Sequence, residues 1–116
     1  MKKSLKVAYI AGPIAGVKDY KTSFTIAEAK LWAEGYKILN PAKLPADLSD
    51  SQYLPICISM VEQADCVFLL KGWEHSLGAV AEATYAARQG KHIYEIRDDG
   101  DHHLKWNNNT HWFEEG

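Results

Sequence analysis

Four short apolar runs, each separated from the next by a stretch with helical spacing, constrain this chain more than any other feature. They are Val7-Ala8-Tyr9-Ile10-Ala11, Tyr36-Lys37-Ile38-Leu39, Cys66-Val67-Phe68-Leu69-Leu70 and His92-Ile93-Tyr94-Glu95-Ile96. The first, which begins near Leu5, and the third are apolar almost throughout, as suits strands buried on both faces. Strand-helix-strand alternation implies right-handed crossovers and a parallel sheet covered on both sides. The expected fold is therefore α/β: a three-layer α/β/α, flavodoxin-like or Rossmann-like domain with a parallel sheet of four to five strands. The first and third strands should be neighbours. The loop after the first and the helix after the third would then flank one crevice at the carboxyl edge, where open α/β sheets bind ligands.

The helical stretches are read from apolar spacing. Over residues 19–34, Phe24, Ala27 and Leu31 recur at three and four, with Trp32 at the shoulder and Gly35 as the stop. Residues 53–63 offer the stripe Leu54, Cys57, Ile58 and Val61, with Pro55 expected in the first turn. Between them, residues 42–51 carry Pro45, Asp47, Ser49 and Asp50 and are expected to loop across the upper edge of the sheet. The tail, residues 97–116, is polar, with a turn signal at Asp98-Asp99-Gly100-Asp101 and aromatic Trp106, Trp112 and Phe113. So many aromatic rings predict a tail that docks, on its own domain or on a neighbouring subunit. Residues 1–116 are expected to form a single domain.

Composition excludes several function classes. A formal net charge of −2 gives no reason to expect nucleic acid or an anionic membrane as partner. No apolar stretch approaches the length of a membrane span, and the basic start lacks a signal-peptide core, so the expected location is cytoplasmic. Cys57 and Cys66 form neither a CxxC pair nor a zinc knuckle and read as buried thiols. Among His75, His92, His102, His103 and His111 no pair has the i, i+4 spacing of a zinc site, and His102-His103 reads as a solvated turn. Neither metal nor cofactor is expected.

The stretch most able to carry chemistry is Gly72-Trp73-Glu74-His75-Ser76-Leu77-Gly78-Ala79-Val80-Ala81-Glu82. Ser76 suits an N-cap, Gly78 permits close approach to the backbone, and Glu82 would lie one turn inside the helix. Leu77, Val80, Ala81 and Thr84 are expected to face the sheet, with Gly78, Glu82 and Tyr85 or Ala86 on another face. The loop Gly12-Pro13-Ile14-Ala15-Gly16 has two glycines that can turn amides toward a ligand, but it is neither GxGxxG nor a Walker A motif. Spacing alone leaves two readings for Glu82, a solvated helix carboxylate or a site residue.

Taken together, Tyr9-Ile10-Ala11-Gly12-Pro13-Ile14-Ala15-Gly16, Gly35-Tyr36-Lys37-Ile38-Leu39-Asn40-Pro41 and the run from Ala64-Asp65 through Glu82 resemble the nucleoside 2-deoxyribosyltransferase-like superfamily. The likeness spans residues 5–96 and is greatest to a small, mostly uncharacterised branch found in phages and bacteria. It implies cleavage or transfer of the N-glycosidic bond of a deoxynucleoside or its monophosphate. Glu82 matches the nucleophile, Ser76 a serine at the sugar or its 5′-phosphate, and Tyr9 an aromatic beside sugar and nucleophile. The resemblance also implies a homodimer or larger homo-oligomer whose sites are completed across subunits, for which Asn109 is a candidate. Trp73 is a candidate to stack the base or to cover the core.

Two departures stand out. The relatives carry an Asp eight residues before the position of Asp65, where this chain has Cys57. The Gly12 loop lacks the Ser and Arg that hold phosphate in monophosphate hydrolases. A non-catalytic nucleotide-binding or sensing domain, and an interaction protein that uses its aromatic tail, are the alternatives.

Overall fold

The computed structural model describes residues 6–96 and the backbone of 102–106. The order is β1 (Val7–Ala11), α1 (Tyr20–Ala33), β2 (Lys37–Leu39), a 3-10 turn (Pro41–Lys43), α2 (Asp50–Gln63) and β3 (Cys66–Leu69). A second 3-10 turn (Trp73–His75), α3 (Leu77–Arg88), β4 (His92–Ile96) and β5 (His102–Trp106) follow. The sheet runs β2-β1-β3-β4-β5. Its first four strands are parallel, as the alternation of runs demands.

Strand alternation sends neighbouring side chains to opposite faces. Tyr9, Ala11, Val67, Leu69 and Ile93 pack with Cys57 and Val61 of α2 and Ala79, Ala83, Ala86 and Ala87 of α3. Ala8, Ile10, Cys66, Phe68 and Leu70 pack with Phe24, Ala27 and Leu31 of α1. On that second face Phe68 stacks on Tyr94 at 4.9 Å and meets Tyr36 edge-on at 5.2 Å. Fully burying side chains such as Phe24 and Leu31 is worth roughly 2 kcal/mol each. Gly35, at φ +99°, ends α1. Its N–H donates to the Trp32 carbonyl and that of Tyr36 to Leu31, so the closing carbonyls are satisfied.

The amino edge of the sheet is fastened by Asp65. Its carboxylate accepts from the Val7 N–H at 2.8 Å, and its own N–H donates to the Val7 carbonyl at 2.7 Å. This clamp sets the β1–β3 register at the end of the strands away from the carboxyl edge.

Several details depart from expectation. α2 starts at Asp50, because Ser49 and Gln52 form a capping box, each side chain bonding the other's backbone N–H. Pro55 therefore lies in the second turn, where it removes the bond to the Ser51 carbonyl; both residues are exposed, so water can serve that group. Leu54 is 45% exposed, and Tyr53, Cys57, Met60 and Val61 form the inward stripe instead. On α3, Leu77 is 91% exposed and Ala81 and Thr84 face away from the sheet, while the alanines turn inward. The small alanine side chains let the helix approach the sheet more closely than leucine or valine would. His102-His103 lies in β5, antiparallel to β4, instead of in a solvated turn. That strand docks part of the tail on its own sheet; the turn at residues 98–101, Asn109, His111, Trp112 and Phe113 lie outside the described residues. No described helix is long and apolar enough to cross a membrane.

Candidate functional site

β1 presents Tyr9 to the α2/α3 face from the centre of the strand, paired with Leu39 on one side and Val67 on the other. Its ring is fully buried and its hydroxyl closes no hydrogen bond of standard geometry. Cys57 reaches the same cluster from α2, where it is 2% exposed. Glu82 arrives from α3 and is 7% exposed, so the reading of it as a solvated carboxylate is excluded.

These three groups act on one another. Burial pushes the Glu82 carboxyl up to about 7, against the pull of the Tyr9 hydroxyl and the Cys57 thiol acting as donors. One turn inside α3 the field of the helix N-terminus favours an ionised Glu82 only modestly, and desolvation outweighs it. The Cys57 thiol is pushed up to about 11, chiefly by burial, with Tyr9 opposing and Glu82 adding to the rise. The Tyr9 phenol is raised far above its ordinary range, by burial first and then by Glu82 and Cys57. The cluster at neutral pH thus holds a neutral phenol, a neutral thiol and a carboxyl near its midpoint.

A fourth group was not singled out from the sequence. Tyr53 projects from the first turn of α2, one turn before Cys57, and packs half-buried against the same cluster. Its hydroxyl donates to the Pro41 carbonyl at 2.9 Å. Its pKa is pushed up to about 12 by burial and by Cys57, Tyr20 and Glu82, which places it close to the carboxyl. Pro41 is itself held in place. The Asn40 amide oxygen accepts from the Ala42 N–H, and its nitrogen donates to Glu28 of α1, which also bridges Lys43 at 2.8 Å. The i, i+4 spacing of Tyr53 and Cys57 was the available signal, once the helix start had been placed at Ser49.

The two loops at the carboxyl edge touch. A Cβ on Gly12 would lie 2.9 Å from the Leu70 Cβ, so Gly12 is small because β3 runs against it. Gly72, at φ +89°, places its backbone 3.4 Å, measured from where a Cβ would stand, from the Pro13 ring. Beyond them Ser76 caps α3, its hydroxyl oxygen accepting from the Ala79 N–H at 3.2 Å. Gly78 faces open space, with no atom within 4 Å of an added Cβ. Trp73 lies against the α2/α3-side cluster, and its indole N–H donates to Glu95 of β4 at 2.9 Å.

The residues singled out from the sequence thus divide. Tyr9, Glu82 and Trp73 belong to the α2/α3 face, joined by Cys57 and Tyr53. Ile14 packs on the opposite, α1 face, and Gly12 and Pro13 form the seam between the loops. Among the described residues no group of His, Cys, Asp and Glu is arranged to hold a metal ion.

Residues 6–95 match the model of the family described as "Domain of unknown function (DUF4406)". No curated protein matches the chain. Among solved structures, the fold is similar to that of the 2-desoxiribosyltransferase from Leishmania mexicana, with a TM-score of 0.62 and 21% identity. That match covers 79% of this chain and 65% of the Leishmania chain, just under two thirds of its length. At that identity the likeness establishes a shared α/β fold.

Proposed function

The chain belongs to the family described as a domain of unknown function (DUF4406), and we propose that it cleaves or transfers the N-glycosidic bond of a deoxynucleoside or deoxynucleoside monophosphate, with Glu82 as nucleophile. The observation that carries this reading is a carboxyl group buried to 7% exposure beside an unpartnered buried phenol, in a fold similar to that of a 2-desoxiribosyltransferase. An ionised carboxylate in such a place is costly, and groups perturbed in this way cluster at functional sites.

In this mechanism a Glu82 oxygen attacks the anomeric carbon, and the carbon–nitrogen bond breaks with its electron pair leaving on the base, which takes a proton from solvent. The anion also stabilises the oxocarbenium-like transition state. Water, or the nitrogen of a second base, then displaces the ester and returns Glu82 as carboxylate. Tyr9 lies beside the nucleophile. Ser76 keeps its hydroxyl hydrogen to donate to the sugar or its 5′-phosphate while its oxygen caps α3, and the open space over Gly78 is the approach. We assign Trp73 and the Gly12-Pro13 seam to the border of this approach, Ile14 packing away on the α1 face, and Asn109 to the site from a neighbouring subunit.

Incubating the protein with a panel of deoxynucleosides and their monophosphates, and separating free base by chromatography, tests the reading. Base release that disappears in Glu82→Gln supports it. Tight binding of one panel member without base release favours the second reading, a nucleotide-binding or sensing domain, which the thiol at Cys57 supports. The assembly that goes with the enzymatic reading is a homodimer or larger homo-oligomer, for which Leu77 at 91% and Trp32 at 72% exposure supply apolar surface. Sedimentation at micromolar concentration decides it, and a monomer counts against it.

A further inference from the structure

The two faces of the sheet are unequally covered. Among the described residues α1 alone packs on one face, and α2 and α3 share the other. A helix with its side chains is about 10 Å across and strands lie about 4.8 Å apart, so one helix spans roughly two strands. A five-stranded sheet outruns α1, whose buried side chains pack with those of β1 and β3. β4 shows the difference. Ile93, on the α2/α3 face, is fully buried, whereas Tyr94 and Ile96, on the α1 face, are half-buried and His92 is exposed. Aromatic rings run in a row across this face. Tyr36 meets Phe68 edge-on, Phe68 stacks on Tyr94 at 4.9 Å, and His92 meets Tyr94 edge-on at 6.4 Å. Phe68 is sealed between its neighbours, and Tyr94 is left at the rim of the covered area.

We propose that this half of the α1 face is the docking surface for the chain's own tail, residues 107–116, with Trp112 and Phe113 seated on Tyr94 and Ile96. The inference stands apart from the glycosidic reading. The path of the chain carries it. β5 runs antiparallel to β4, from His102 opposite Ile96 to Trp106 opposite Ile93. Residue 107 therefore begins at the amino end of β4, beside the exposed His92. From there Tyr94 is about 4.8 Å away across the sheet and about 7 Å along the strand. Trp112 follows Trp106 by six residues, a reach of about 20 Å when extended, so the tail can turn back over the row with length to spare. The opposite face offers no such seat, because Ile93 is already enclosed with the alanines of α3. Two large aromatic side chains gain by leaving water for a half-buried aromatic row, and edge-to-face or offset stacking suits both partners. A second copy could cover the same rings, but a short tether holds the tail at an effective concentration on the order of millimolar, so the chain's own tail is the favoured occupant.

Two measurements on the full chain test this. Tetranitromethane nitration, read peptide by peptide by mass spectrometry, reports which tyrosine rings are open to solvent. In the double variant Trp112→Ala/Phe113→Ala, Tyr94 should be nitrated several-fold faster than in wild type. Tyr85, on α3 and the opposite face, should keep its rate and serves as the reference. Isotope-filtered NOE spectra of wild type, recorded on a mixture of carbon-13-labelled and unlabelled chains, identify the occupant. Contacts from the Trp112 indole to Tyr94 or Ile96 within one chain are expected. Contacts found only between labelled and unlabelled chains overturn the proposal and give the face to a second copy. An unchanged Tyr94 nitration rate, or the absence of any contact from Trp112 to this face, overturns it as well. If the double variant does not fold, the NOE spectra of wild type decide alone.

Discussion

Tyr9 and Glu82 meet inside the protein: a phenol from the central strand with no partner for its hydroxyl, and a helix carboxyl that burial raises to about 7. Glu82 makes the phenol harder to ionise, and burial outweighs the help that the phenol gives the carboxyl, so the pair stores a cost at neutral pH that an ordinary core would avoid.

That cost should be visible as a pH-dependent stability difference. Folding raises the Glu82 pKa from 4.5 to about 7, so between these values the folded state holds a proton that the unfolded state has released. The contribution is fully present below 4.5 and is lost as pH rises through about 7. Glu82→Gln should gain stability over wild type at pH 8, up to about 3 kcal/mol, and show little of that gain near pH 4. Urea midpoints for the two proteins at both pH values check this.

If Glu82 is the nucleophile, base release should follow its ionised form. kcat/KM would rise with pH through about 7 and level off above it. Glu82→Gln, nearly isosteric but neither anion nor competent nucleophile, should abolish release while leaving ligand affinity nearly intact.

On the proposed reading Ser76 both caps α3 and binds ligand, and its removal should show both. Ser76→Ala deletes the cap on the Ala79 N–H, costing about 1 kcal/mol of stability. It should also weaken ligand binding roughly five-fold or more by the loss of a hydrogen bond. Ser76→Gly, which restores most of the cap preference without a hydroxyl, separates the effects when thermal stability and affinity are measured on both variants.

Gly12→Ala should destabilise by about 1–3 kcal/mol, since the new methyl meets the Leu70 Cβ and the two strand ends must part. Leu70→Gly in the same chain removes that opposing Cβ and should recover part of the loss, which a thermal-denaturation double-mutant cycle would read as coupling.

The parallel sheet was legible because runs such as Val67-Phe68-Leu69 are apolar on both faces, a pattern that only a covered sheet requires. The inward face of α3 was misjudged for a physical reason. Hydrophobic size favoured Leu77 and Val80, yet close packing selected the smallest residues, and Leu77 was left in solvent. The start of α2 was legible in Ser49 and Gln52 but was masked by Pro45, Asp47 and Asp50 nearby. Tyr53 was not, because its place depends on Pro41, twelve residues away and on another element. β5 was unreadable locally, since an edge strand is held by backbone pairing to β4 and carries no apolar run of its own. Glu82 and Tyr9 were found through resemblance, and their burial came only from the packing.

The alanine face of α3 has a consequence for how this site can change. Ala79, Ala83 and Ala86 act as a spacer whose thickness sets how far the helix stands from β1 and β3, and hence how deep Glu82 is carried. Adding even one methylene to that spacer lifts the carboxyl toward water and lowers its pKa without touching any group that bonds to it. The acidity of the site is thus adjustable from the same inward face of α3, by side-chain volume instead of by charge.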